Sequence, residues 1–282
     1  MIGIAKTIKL FIGGAFPRTE SGRSFKVYYN NSDKVYGHLC LASRKDFRSA
    51  VEAAEKGHKD WQTKTAFNKS QILYRMAEMM EGKRLEFVNM LEMINGLDSQ
   101  EANKQVDAGI ESFVYFAGFC DKYLQLSSNL NPINGPYANY SAPEPVGVVS
   151  LFASNELHLG NLCANISSIV TSGNAVIVLL DTLHACPALL APLAEVFATS
   201  DLPGGVINIL SGSHQELAEY VGSHMAVRAV SIQTETTELI HQIKSLSVGN
   251  LKRIVTRRPN PNSLEAILDT TEMKTVWQPM GF

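Results

Sequence analysis

Apolar residues recur along this chain with two different periods, and the change of period divides it. Over 44–59, Phe47, Val51 and Ala54 share one face at helical spacing, with Ser43 placed as the cap. Helices are likewise predicted over 68–81 and 84–93, and a longer one over 100–124 carries Ile110, Phe113, Val114 and Phe116. A loop with Pro132, Gly135 and Pro136 closes this helical half. Ahead of it, 9–16 (KLFIGGAF) reads as a strand entering a Gly13–Gly14 hairpin turn. From Tyr137 onward, short and nearly continuous apolar runs take over. They predict strands at 137–140, 146–151, 175–180, 206–210, 228–232 and 252–255. Helices are expected between them at 157–170, 187–199, 214–222 and 236–245. That alternation predicts an α/β fold whose parallel sheet is covered on both faces.

Composition narrows the picture. At 282 residues, 45% hydrophobic and 18% charged, the chain is globular and long enough for a full core. A net charge of −2 and a pI near 6.4 give no reason to expect nucleic acid or an anionic membrane as partner. No run approaches the ~18 apolar residues of a membrane span. The amino terminus enters a strand without a signal-type apolar core, so a cytoplasmic location is expected. Cys40, Cys120, Cys163 and Cys186 lack metal-type spacing and read as reduced thiols.

Three stretches carry a resemblance. Residues 144–180 (EPVGVVSLFASNELHLGNLCANISSIVTSGNAVIVLL) read as strand, turn, helix, strand; 201–212 are DLPGGVINILSG and 251–256 are LKRIVT. In order and spacing these resemble the NAD(P)-dependent aldehyde dehydrogenases, and in particular the second, degenerate unit of the two-unit family-sixteen enzymes. The resemblance implies an aldehyde dehydrogenase-like fold with a Rossmann-type parallel sheet. Residues 1–136 would be the hairpin and helical part of the nucleotide-binding domain, 137–145 an oligomerisation-type strand, and 146–282 the Rossmann-like part. The family's catalytic domain, with its cysteine, is expected to be missing from this sequence.

The same resemblance implies that the reactive positions have changed. The family's oxyanion-binding Asn falls on Glu156 without gaps, or on Asn155 after a shift of one residue. A carboxylate there would repel a developing oxyanion. The simpler reading is that Asn155 and Glu156 cap the helix that follows. The ribose-binding Lys of the family matches Leu179 or Leu180. No lysine lies between Lys122 and Lys244, a stretch in which Arg228 faces nine carboxylates. The phosphate-capping Gly and Ser become Thr234 and Glu235, and the general-base Glu becomes Arg257, which accepts no proton near neutral pH. No cofactor is therefore expected, NAD(P) being the one that would fit the scaffold.

Other chemistry is weaker. His158 and His184 follow strand ends and could join Asp181 or Glu156 on a metal, but no short ligand spacing supports it and none is expected. His214, His224 and His241 read as incidental. Leu239, Ile240, Ile243 and Leu246 form one stripe on the helix at 236–245, equally suited to core packing or to a subunit interface, and Tyr137 and Tyr140 sit on the strand whose edge a second subunit would use. The expected function is a catalytically inactive homologue acting as a structural or regulatory subunit, with itself or with a full-length aldehyde dehydrogenase. The alternative is an NAD(P)-dependent oxidoreductase component that needs a partner chain.

Overall fold

The computed structural model describes residues 6–256 and 260–281. β1 (Lys6–Ile8), β2 (Ser24–Tyr28) and β3 (Val35–Cys40) form a small sheet in the order β1-β3-β2. β2 and β3 leave little trace in the hydrophobic pattern, because both are short and partly exposed. The glycine turn forms where expected, with Gly13 at φ +63° and Gly14 at φ +82°, the left-handed pair that a two-residue turn needs. Ile12 and Ala15 exchange backbone hydrogen bonds of 3.0 Å across it. The hairpin stops there because Phe11 is used elsewhere, exchanging bonds of 2.9 and 2.8 Å with Ile209 of the main sheet.

α1 (Arg44–Gln62) starts at Ser43 through a reciprocal capping box with Asp46 and buries Phe47, Val51, Ala54 and Trp61. α2 (Ala66–Gly82), α3 (Arg84–Asn95) and α4 (Ser99–Ala117) follow. The helix expected over 100–124 breaks after Ala117. Residues 118–121 wind as turns there, and α5 (Lys122–Ser127) resumes. Gly118 at the break is a poor helix former, which loosens the pattern just where turns replace it.

The second half holds β4 (Asn129–Leu130), β5 (Tyr137–Pro145), β6 (Val148–Phe152), α6 (Leu159–Thr171), β7 (Ala175–Leu180) and α7 (Leu190–Ala198). β8 (Ile207–Ser211), α8 (His214–Ser223), β9 (Val227–Ile232), α9 (Thr237–Ser247), β10 (Arg253–Thr256), α10 (Leu264–Leu268) and β11 (Thr271–Pro279) complete it. The main sheet runs β10-β9-β6-β7-β8, parallel throughout, as the sequence pattern predicts. Its two faces divide β7 by alternation. Val176, Val178 and Leu180 enter one core, while Ala175, Ile177 and Leu179 enter the other. The first core also takes in Phe87, Phe113 and Phe116, so the helical half and the sheet share one interior.

The strand expected at 137–140 is the start of a longer one. β5 pairs antiparallel with β11 from Tyr137↔Pro279 to Pro145↔Thr271, and β4 lies on its other side. All of β11 beyond Thr271 is exposed. Among the described residues no helix is long and apolar enough to cross a membrane.

Candidate functional site at the strand carboxyl ends

Open parallel sheets place their ligands beyond the carboxyl ends of the strands. Here three segments meet at those ends: 153–158 after β6, 181–186 after β7, and 233–236 after β9. Each brings a carboxylate, namely Glu156, Asp181 and Glu235.

After β6 the chain turns through Asn155 and Glu156. The Asn155 carbonyl accepts from the Ala185 N–H at 2.8 Å, tying the first segment to the second. Its side-chain Oδ1 is buried and has no hydrogen-bond partner among the described residues. Glu156 points outward, with His158 Nε2 at 3.2 Å from its Oε2. The capping expectation for this pair is not met. α6 begins at Leu159 and its cap residue, His158, makes no side-chain cap bond. The Leu159 N–H instead donates to Gln105 Oε1 of α4 at 3.0 Å, a tertiary cap that local sequence cannot reveal.

Leu179 and Leu180 are completely buried inside β7, one in each core. The residue that emerges at the mouth is Asp181, and the structure embeds it in a histidine cluster. Its Oδ1 accepts from the Thr182 hydroxyl and the Leu183 N–H, both at 3.0 Å. Its Oδ2 accepts from the His214 N–H at 3.1 Å and lies 3.2 Å from His214 Nδ1. His214 Nε2 is 2.9 Å from the Leu179 carbonyl, which can only accept, so Nε2 carries a proton. His214 is thus a buried structural residue, not an incidental one. Burial lowers its pKa against the opposing pull of Asp181 and the Leu179 carbonyl. His184 accepts from the Cys186 N–H at 2.9 Å through Nδ1. Burial first, and then the neighbouring His214, push its pKa down to about 4, so it is neutral at ordinary pH.

Thr234 is buried, its hydroxyl 3.1 Å from that of Thr236, and Glu235 is exposed at the start of α9. The α9 cap residue, Thr236, makes no side-chain cap bond. Arg257 lies outside the described residues. The cavity these segments enclose holds about 20 Å³, room for a single water, and is lined by Glu156, His158, Asn161, Asn165, His184 and Gln233 among others. Among the described residues no group of three His, Cys, Asp or Glu side chains is placed to hold a metal. All four cysteines are buried and unpaired. Burial raises the thiol pKa of Cys163, and raises those of Cys120 and Cys186 to about 12, so these three carry no activated thiolate.

Of the two readings of the α9 stripe, core packing accounts for its buried members. Leu239 and Ile243 are buried in the second core, and Leu246 packs over Gly222 of α8. Ile240 packs against that same core and, like Leu246, is only partly buried. Tyr137 and Tyr140, by contrast, are exposed on β5, and Tyr137 makes an edge contact with Trp277 of β11 at 6.2 Å between ring centroids.

The parallel five-stranded sheet with helices packed on it makes this a doubly wound type of α/β protein. The sequence pattern of the aldehyde dehydrogenase family matches residues 16–265, and the chain belongs to that family. It is 29% identical over 251 residues to DhaS of Bacillus subtilis, covering 88% of this chain and 50% of that protein. It is 25% identical over 248 residues to the D-glyceraldehyde dehydrogenase (NADP(+)) of Thermoplasma acidophilum, covering 86% and 49%. The NAD+ complex of a Bacillus cereus aldehyde dehydrogenase superposes with a TM-score of 0.81 at 25% identity, over 89% of this chain and 50% of that one. The chain thus spans about half the length of these relatives.

Proposed function

We propose that this chain is a non-catalytic member of the aldehyde dehydrogenase family, acting as a structural or regulatory subunit with itself or with a full-length aldehyde dehydrogenase. One observation carries the reading: the three segments at the strand mouths where a dinucleotide would lie each carry a carboxylate, exposed in Glu156 and Glu235 and buried beside His214 in Asp181. A pyrophosphate brought there meets like charge, with no lysine anywhere in 123–243 to offset it. The 20 Å³ cavity at the same place is far below the ~300 Å³ at which small-molecule pockets begin. The residues present do not suit NAD(P), although one relative is a D-glyceraldehyde dehydrogenase (NADP(+)) and another was solved with NAD+.

The association half of the proposal draws on β11 and β5. They make a ribbon whose side chains Met273, Val276, Trp277, Tyr137 and Tyr140 are exposed. A strand bare along its length is an edge that natural proteins cover or charge, and a ribbon of so few strands has little stability of its own in water. Sedimentation of the wild-type chain, alone and mixed with a full-length aldehyde dehydrogenase, is expected to show a dimer or a mixed complex. Val276→Lys with Trp277→Lys is expected to give a monomer with an unchanged circular dichroism spectrum. A wild-type chain that stays monomeric in both samples contradicts the proposal.

A further inference from the structure

A cavity of about 420 Å³ opens between α2, α5 and β5, sharing no lining residue with the strand mouths. Lys69, on α2, lines it and is only 8% exposed. It faces the Trp61 ring, whose centroid is 5.7 Å from Nζ, and lies near the buried Cys120 thiol, which also lines the cavity. The carbonyls at the end of α6 are taken by other donors. Val170 accepts from Trp61 Nε1 at 2.7 Å, Ser172 from the Tyr123 hydroxyl at 3.4 Å, and Gly173 pairs with His58 Nδ1 at 2.9 Å. An ammonium carries three donors, and burying it without a counter-charge is costly. Burial lowers the Lys69 pKa, the direction expected of an ammonium that lacks a carboxylate neighbour.

We propose that this cavity is a binding site for a small organic monocarboxylate, which supplies the counter-ion that Lys69 lacks. The rest of the lining sets the class. Tyr123, Leu124, Pro143 and Pro145 offer apolar surface for a short hydrocarbon tail. Glu144 also lines the cavity, ion-paired to Lys274, and Lys64 is exposed at it. One buried cation balances one negative charge, whereas the second charge of a dianion such as phosphate would fall to the exposed, solvated Lys64 beside Glu144. Gly173 keeps the space over Nζ open, since a Cβ there would stand 3.1 Å from it. The site is independent of the cofactor reading above.

The test uses the whole chain with butyrate as probe, and phosphate or chloride at matched ionic strength as controls. Lysines are acetylated with a succinimidyl acetate reagent and read by peptide mass spectrometry. Butyrate at ten times its apparent Kd is expected to slow Lys69 acetylation about tenfold, leaving surface lysines unchanged. It is also expected to raise the melting temperature saturably in wild type and not in Lys69→Met. Unaltered Lys69 labelling, equal protection by phosphate, or the same thermal shift in Lys69→Met would overturn the site. Should Lys69→Met not fold, the labelling result in wild type decides.

Discussion

Trp61→Ala is expected to lower the free energy of unfolding by about 3–5 kcal/mol, measured by urea denaturation followed by circular dichroism. Trp61 is fully buried in the core shared by the helices and the sheet, and it also holds down the end of another helix. Its indole N–H donates to the Val170 carbonyl near the carboxyl end of α6 at 2.7 Å. Truncation opens a cavity, removes one of the donors to the Val170 carbonyl, which keeps the Gly173 N–H at 3.0 Å, and removes the ring beneath the Lys69 ammonium. Trp61→Phe keeps most of the volume and loses only the N–H, so about 1–2 kcal/mol is expected. Equal losses in the two variants would mean that the hydrogen bond, not the packing, dominates.

The second large effect is with pH. His184 titrates at 6.5 in the ordinary state and at about 4 when folded, because burial disfavours its charged form. The unfolded chain therefore takes up the proton first. Stability is full above pH 6.5 and falls as the pH drops through the window from 6.5 to about 4, by about 3 kcal/mol at the bottom. His214, also lowered by burial, adds a loss of the same sign. His184→Asn keeps an acceptor near the Cys186 N–H and removes the titration. Its stability difference between pH 7.5 and pH 4 is expected to be smaller than that of wild type by about 3 kcal/mol. Parallel profiles for the two proteins would contradict the neutral, buried state of His184.

The parts of this fold legible in the sequence were those with local causes. The Ser43 cap, the Gly13–Gly14 turn and the continuous apolar strands of the main sheet each declare themselves within a few residues. β11 did not, because its partner lies more than a hundred residues away and its own side chains are exposed on both faces. The α9 stripe was equally suited to core and interface, and only the packing of α8 against it decided. At the site, the loss of lysine was readable directly from composition. That Asp181, rather than Leu179 or Leu180, emerges from β7 depended on where the strand ends. The Asp181–His214 contact joins residues 33 positions apart, and no short spacing announces it.

Calorimetric titration of the purified chain with NAD and NADP tests the central claim most directly, with a full-length aldehyde dehydrogenase as positive control. Carboxylates at all three strand mouths predict no saturable heat up to millimolar dinucleotide with this chain, and clear binding by the control. Stoichiometric binding at micromolar concentration would contradict the account and show that the backbone donors at these helix starts overcome the carboxylates beside them.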